Sequence, residues 1–386
     1  MTTHTARNAV MLSFLLNGFA FATWASRIPD VRDRLDLDNG QLGLLLLVIA
    51  CGSVLTLPTT GALIARFGAA AVVRAGVTSA LIGLLGASVG VAMAAVPVVA
   101  CSLFFYGLGV GIWDVAMNVE GAAVERRLGR TIMPRFHAGF SLGTVFGAML
   151  GAAAAGLDIP MSWHVGVLAA LVFVIVQVTT GGFLPRVAEG DSEAGPRQAA
   201  WRAWLEPRTL LIGVMVFALA VTEGTANDWL AVALIDGYDV PHWMGIAGFG
   251  LFLTAMTLAR VAGTVVLDRY DRVPVLWTTM AAAALGVLII VYGGPLAPLG
   301  IVLWGLGASL GFPVGMSAAS DDEANAPARV SVVSTIAYTA FLAGPPLLGF
   351  VADHVGTLHA LLAVAILLVP SALVVPAARK QESQPA

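Results

Sequence analysis

Long runs of apolar residues, separated by short polar stretches, recur along the whole chain. Each run is about 20 residues long, which is the length that an α-helix needs to cross the hydrocarbon core of a bilayer. The runs predict twelve transmembrane helices near residues 8–28, 40–63, 71–93, 97–119, 136–156, 164–184, 209–234, 243–266, 273–293, 298–318, 330–351 and 357–376. The pattern therefore predicts an all-α membrane protein.

The longest polar gap divides these helices six and six. It predicts an N-terminal six-helix bundle over residues 1–185, a cytoplasmic linker over 186–208 and a C-terminal six-helix bundle over 209–386. Within the linker, the segment from Trp201 to Trp204 is expected to lie amphipathically on the membrane surface.

The two halves repeat each other. Tyr106-Gly-Leu-Gly returns as Trp304-Gly-Leu-Gly, and Trp24 in the first span matches Trp229 in the seventh. A duplicated six-helix bundle of this kind is typical of secondary transporters.

Composition supports the membrane assignment, because only 11% of the residues are charged, against about 25% in soluble proteins. With the N-terminus inside, 17 of the 20 Lys and Arg residues fall on the inner side. This bias predicts a multi-pass membrane protein with both termini in the cytoplasm. The N-terminus leads straight into an apolar run that more such runs follow, so no cleaved signal peptide is expected. A net charge of −3 gives no indication of nucleic-acid binding, and the single lysine, Lys380, excludes an ATP-binding Walker A loop.

One stripe of the fourth span carries unusual chemistry. Gly107, Gly111, Asp114 and Asn118 follow helical spacing and share a face. The glycines allow something to approach the backbone closely. A carboxylate inside a bilayer is functional by default, because it must face water, a ligand or a partner. The alternative is that Asp114 only pairs with an Arg on a neighbouring helix.

A second acid, Glu223, lies deep in the seventh span, with Asn227 one turn further and Asp228 beside it. Such a carboxylate must be protonated, paired or hydrated. The sequence leaves two roles open for Glu223, which are coupling or substrate contact and a helix-packing ion pair with Arg27 or Arg260.

Other candidate site residues each have a structural alternative. Arg27 could gate or bind a ligand, or its side chain could extend to the lipid headgroups. An imidazole, an amide and aromatic rings could line a cavity, but such residues are more often packing or interface residues. These candidates are His137, Asn17, Trp113, Trp229 and Tyr338.

The twelve spans, the six-plus-six repeat and the central linker resemble the major facilitator superfamily. The superfamily has a loop signature, G-x-L-x-D-R-x-G-R, after the second span. Here it resembles Gly61-Ala-Leu-Ile-Ala-Arg66-Phe-Gly68, with Ala where the aspartate is usual, and the second-half copy keeps the acid as Asp268-Arg269. Since this loop is a conformational gate in the superfamily, the resemblance implies an altered gate built from these residues.

Within the superfamily, the stretch from Gly109 to Asn118 is similar to the fourth helix of the fucose–proton symporter group. In that group the acid at the position of Asp114 takes part in sugar binding and proton coupling. The first-helix acid of the group aligns with Ala25, so its two-acid scheme does not carry over whole.

The chain more closely resembles the YbjJ-like bacterial inner membrane proteins. The similar stretches are Thr23-Trp-Ala-Ser-Arg27-Ile-Pro29, Glu223-Gly-Thr-Ala-Asn-Asp-Trp229, Ser320-Asp-Asp322, Arg329-Val-Ser-Val-Val333 and Gly344-Pro-Pro-Leu-Leu-Gly349. This resemblance implies a family and a location in the bacterial plasma membrane, but no substrate.

We therefore expect a monomeric secondary active transporter that works by alternating access, with proton-coupled uptake of a small polar or sugar-like solute. The alternatives are proton-driven efflux of a drug or metabolite, and a membrane sensor that binds a ligand without moving it. We expect no enzyme activity, cofactor or metal, because the G-x-S-x-G matches follow no predicted strand. The expected partners are a small-molecule substrate, protons and the lipid bilayer.

Overall fold

The structure is a computed structural model of the chain, and it describes residues 2–129, 132–185, 200–321 and 325–380. All regular elements in this part of the chain are helices. The first seven are α1 (Thr3–Ala25), α2 (Ile28–Arg34), α3 (Asn39–Phe67), α4 (Ala69–Ala92), α5 (Val96–Leu128), α6 (Met133–Gly156) and α7 (Met161–Thr179).

The helices that follow begin with a short segment, α8 (Ala200–Ala203). They continue as α9 (Pro207–Tyr238), α10 (His242–Arg269), α11 (Arg272–Tyr292), α12 (Ala297–Ala308), α13 (Gly311–Ala319), α14 (Ala326–Val355), α15 (Thr357–Ala360) and α16 (Leu362–Val374). Short 3₁₀ turns cover Thr180–Gly182, Gly294–Leu296 and Val375–Ala378.

Twelve stretches of the described chain are long and apolar enough to cross a membrane, and each overlaps one predicted span. Large apolar side chains are exposed along them; Val178 is 74% and Leu373 is 79% exposed. Lipid is the environment that such surfaces require. The prediction of an all-α, twelve-helix membrane protein is confirmed.

The chain folds into two compact units. The first consists of Met1–Ala188 with Ala231–Gly250, and the second of Glu189–Leu230 with Leu251–Ala386. The predicted bundle boundaries stay a prediction. Most of the predicted linker, residues 186–199, lies outside the described residues, and of its amphipathic segment the structure places α8 and an exposed Trp204.

Local sequence explains where the key helices begin and end. The Asp38 side chain accepts a hydrogen bond from the Gln41 backbone N–H, and the Gln41 side chain accepts one from the Asp38 backbone N–H. These two hydrogen bonds form a capping box at the start of α3. Gly68 ends α3 with a φ of +80°, and Gly129 ends α5 in the left-handed conformation with a φ of +62°. Glycine adopts these angles without the steric penalty of a Cβ.

Helix α5 is central to the first unit, because it packs along both α3 and α4, while α1 packs along α6. The core beside it contains Phe14, which stacks on Phe136 with 5.5 Å between ring centroids, and the fully buried Trp113. This packing fixes α5 and so determines which neighbours the Asp114 stripe meets.

Candidate functional site

In the first unit, a carboxylate and an amide lie together on α5. Asp114 and Asn118 are one helical turn apart and partly buried. The Asn118 amide donates to the Asp114 backbone carbonyl at 2.9 Å and lies 3.4 Å from the carboxylate oxygen Oδ1. Among the described residues, no cationic side chain forms an ion pair with Asp114. The alternative that Asp114 pairs with an Arg on a neighbouring helix therefore has no support in this part of the chain.

The glycines of the same stripe are covered by α3. A Cβ on Gly107 would collide with the Ile49 carbonyl, and one on Gly111 would collide with the Thr56 hydroxyl. The Ser53 hydroxyl donates to the Gly107 carbonyl at 3.0 Å. The glycines thus serve close helix packing, and only the Asp114 and Asn118 end of the stripe is left for a ligand or water.

Replacing Gly107 with Ala is expected to lower the thermal unfolding midpoint of the purified protein. The added methyl group must push α3 away from α5, and overpacking of this kind costs about 1–3 kcal/mol. Gly166→Ala is the control, because its Cβ would lie 3.6 Å from the Leu85 side chain, an ordinary contact distance. Equal unfolding midpoints for the two variants would show that the stability of the protein does not depend on the close approach of α3 to α5 at Gly107.

Three other predicted residues of the first unit have different surroundings. Asn17 is 3% exposed, and its Nδ2 has no hydrogen-bond partner among the described residues. The indole N–H of Trp113 donates to the Ser13 hydroxyl at 2.9 Å in the core. His137 is exposed, and its ring packs edge-on against Phe14 at 5.2 Å. The geometry favours a packing role for Trp113 and leaves Asn17 with a free donor.

Arg27 points into the first unit. It is 2% exposed, donates to the Ile159 carbonyl at 2.8 Å and pairs with Asp30 at 3.2 Å. Its Nε and Nη1 have no partner among the described residues, and neither ring nitrogen of the buried His164 has one. The possibility that Arg27 extends to the headgroups is therefore wrong. Sequence reasoning missed His164, which is the first residue of the predicted span 164–184.

A charged cluster at one end of the first unit was also missed. Arg32 forms a two-pronged ion pair with Asp236, with 2.6 Å between Nη2 and Oδ1, and His242 lies 3.0 Å from Asp33. These residues lie about 200 positions apart in the sequence. The cluster joins α2 to the end of α9 and the start of α10.

In the second unit, Glu223 pairs with Arg260. The Arg260 Nη2 donates to Glu223 Oε2 at 2.7 Å, and its Nε donates to the Ser309 carbonyl at 3.1 Å. About a quarter of each charged side chain is exposed. Of the two arginines that the sequence offered as partners, the structure selects Arg260.

Several polar groups near Glu223 on α9 have no partner in the described chain. The Asn227 Oδ1 and the indole nitrogen of the buried Trp229 are both unsatisfied. Asp228 forms no hydrogen bond or ion pair with any described residue. Tyr338 on α14 is 37% exposed and packs against Phe341 with 6.4 Å between ring centroids. In the described chain, no three His, Cys, Asp or Glu side chains form a group that could hold a metal ion.

Most of the predicted gate residues are exposed, and they lie in or near the last turns of α3 and α10. Gly61 has open space around it, Arg66 lies over the Phe67 ring at 5.3 Å, and Gly68 ends α3. Asp268 and Arg269 end α10 and form no ion pair with described residues.

Other residues form ion pairs at the ends of the second-unit helices. Asp321 is contacted by Arg208 at 2.9 Å and Arg272 at 2.8 Å, and Arg329 contacts Glu206 at 2.6 Å. Asp321 and Arg329 lie in the stretches that resemble the YbjJ-like proteins. Asp322 lies outside the described residues.

Comparison with known proteins adds to this geometry. Residues 10–322 match the family model of the Major Facilitator Superfamily. The chain is 32% identical over 361 residues to an uncharacterized MFS-type transporter of Yersinia pestis, which covers 92% of this chain and 91% of that protein. It is 28% identical over 362 residues to the membrane protein MosC of Rhizobium meliloti, covering 92% of this chain and 85% of that protein.

Solved structures share the fold. A mutant of the nucleoside transporter NupG matches with a TM-score of 0.80 at 14% identity, over 97% of this chain and 99% of that one. The D-xylose-proton symporter matches with a TM-score of 0.73 at 14% identity, over 97% of both chains. A mutant of the Escherichia coli fucose:proton symporter FucP matches with a TM-score of 0.67 at 14% identity, over 99% of this chain and all of that one. With its twelve apolar helices and a matching family model over most of its length, this chain is a transporter of the Major Facilitator Superfamily.

Proposed function

We propose that the protein takes up a small polar or sugar-like solute together with protons, by alternating access. The observation that carries this proposal is the Asp114–Asn118 pair, a carboxylate without an ion-pair partner in the described chain next to an amide on a membrane helix. A carboxylate in this position can take up and release a proton, and the amide can bond a solute hydroxyl. An ionised carboxylate without a partner is costly to bury away from water. Asp114 therefore alternates between a protonated form when the site is closed to water and an ionised form when the site is open to water.

The ion pair on the second unit supplies a second protonatable group. Protonation of Glu223 would release Arg260 from its 2.7 Å contact, and the freed guanidinium would then need another acceptor. The charge of the second unit therefore changes each time Glu223 takes up or releases a proton. We therefore assign Glu223 part of the coupling role, in place of the first-helix acid that Ala25 replaces.

Ligand binding tests the proposal directly. The purified protein would be heated with panels of sugars, nucleosides, organic acids and cationic drugs, because a ligand that binds only the folded state raises the unfolding midpoint. The solved relatives named as sugar and nucleoside transporters guide the first panel. We expect stabilisation by a neutral polar solute, followed by its uptake into proteoliposomes with an acidic exterior. Stabilisation by cationic drugs alone, with proton-driven export, would replace this proposal with efflux, and binding without any flux would indicate a sensor.

We also propose that the protein is a monomer in the bacterial plasma membrane with both termini in the cytoplasm. Reporter fusions after Arg186 and after Lys380 are expected to report the cytoplasm, and a fusion after Asp36 the periplasm, because 17 of 20 Lys and Arg residues fall on the inner side in this orientation. Opposite locations for Arg186 and Lys380 would require an odd number of spans between them and would overturn this topology.

A further inference from the structure

A small cavity lies between α9 and α14 in the second unit. Thr225 and Asp228 line it from α9, and Phe341, Gly344 and Pro345 line it from α14. Its volume is about 10 Å³, counted as the space open to the centre of a water-sized particle. That is about the minimum for one occupant such as a water molecule. The cavity is therefore a site for a single small particle and not for an organic solute.

Two oxygen-bearing side chains of this cavity have no partner among the described residues. Thr225 is 2% exposed and its hydroxyl makes no hydrogen bond. Asp228 makes no hydrogen bond or ion pair. The two residues are three positions apart on one helix and so share a face, yet the hydroxyl forms no hydrogen bond with the carboxylate. A particle between them would satisfy both groups.

The facing helix offers a third oxygen. Pro345 lies inside α14 and has no N–H, so the carbonyl of Phe341, four residues earlier, lacks its usual helical donor. Phe341 and Pro345 both line the cavity. A residue whose carbonyl lacks its usual donor thus lines the cavity together with a carboxylate and a hydroxyl. Oxygen groups of these kinds are the ligands that hard cations prefer.

We propose that this cavity binds a sodium ion, with Asp228 and Thr225 as side-chain ligands. One monovalent cation balances the single carboxylate, whereas a divalent ion would leave a net positive charge inside a membrane-spanning segment. A proton on Asp228 would neutralise the charge but would leave the Thr225 hydroxyl without a partner among the described residues. Sodium is the smaller of the abundant monovalent metal ions and suits a cavity for one particle. The site concerns cation binding and goes beyond the proposed function, on which it does not depend.

The test is the unfolding midpoint of the purified full-length protein at fixed pH and ionic strength, with NaCl replaced stepwise by KCl or choline chloride. We expect a saturable rise with Na⁺ that K⁺ and choline do not reproduce, because an ion that binds only the folded state stabilises it. Asp228→Asn is expected to abolish the rise. Thr225→Val is expected to raise the Kd for Na⁺ about tenfold, the equivalent of one lost ligand interaction.

Matched variants separate the site from general effects on α9. Thr222→Val is the control, because the Thr222 hydroxyl is equally buried but already donates to the Ala218 carbonyl at 2.8 Å. Gly224→Ala places a methyl group at the cavity, in ordinary contact with the Phe341 ring at 3.5 Å, so it should fold and weaken Na⁺ binding even if Asp228→Asn does not fold. Equal midpoints in Na⁺ and choline, a rise that follows acidification and not Na⁺, or equal effects of Thr222→Val and Thr225→Val would each overturn the proposal.

Discussion

Asp114→Asn is expected to fold and to bind solute but to fail to accumulate it. Asparagine has the shape of the protonated carboxyl group and preserves the contact with Asn118, whose amide lies 3.4 Å from Oδ1. It cannot release a proton, so an outward-acid pH difference no longer drives uptake. One pH unit supplies about 1.4 kcal/mol per proton, which sustains about a tenfold concentration ratio. In proteoliposomes, we expect the ratio of internal to external solute concentration to reach up to this value for the wild type. For the variant we expect a ratio of about one, because the pH difference no longer drives uptake.

Solute binding measured against pH completes the test of Asp114. The wild type should bind with a pH dependence that Asp114→Asn largely loses, whereas Asp114→Ala should also bind more weakly, because it loses the hydrogen-bonding group. Asp158→Asn is the control, since Asp158 lies between two spans and its φ of +54° suits asparagine. An unchanged pH profile in well-folded Asp114→Asn would place the proton elsewhere, and unfolding of both Asp114 variants would assign the residue a structural role.

The Glu223–Arg260 pair is expected to behave differently in stability and in transport. Glu223→Gln leaves the Arg260 guanidinium without its carboxylate, which should destabilise the protein. Adding Arg260→Gln removes the unpaired charge, so the double variant should recover part of the loss. We expect a coupling free energy of about 0.5–3 kcal/mol, the usual range for contacting residues. Unfolding midpoints of the four proteins measure it.

Transport by the double variant decides between the two roles of Glu223. If the carboxylate takes part in coupling, the stable double variant should exchange solute in counterflow but should not accumulate it against a gradient. Accumulation at the wild-type level would mean that the pair only holds α9 and α10 together, as the sequence analysis allowed. Stability and coupling are thus measured on the same four proteins.

The sequence by itself determined the features that depend on local order. Apolar runs of membrane-spanning length located all twelve spans, because hydropathy is a property of consecutive residues. Helical spacing put Asp114 and Asn118 on one face, and the structure shows them in contact there. It also identified Glu223 as an intramembrane acid, since burial in lipid makes any such residue exceptional.

Only the tertiary structure decided which groups meet across helices. In the structure, Arg260 is the partner of Glu223, and Arg27 points inward against Asp30 and Ile159. Helix α3 packs against the glycines of α5. The structure also shows that the hydroxyl of Thr225 lacks a partner in the described chain while that of Thr222 has one, although the two residues lie on the same helix. Contacts of this kind depend on the rotation and crossing of neighbouring helices, and these follow from side-chain packing between segments far apart in the sequence. Spacing along one helix does not contain that information.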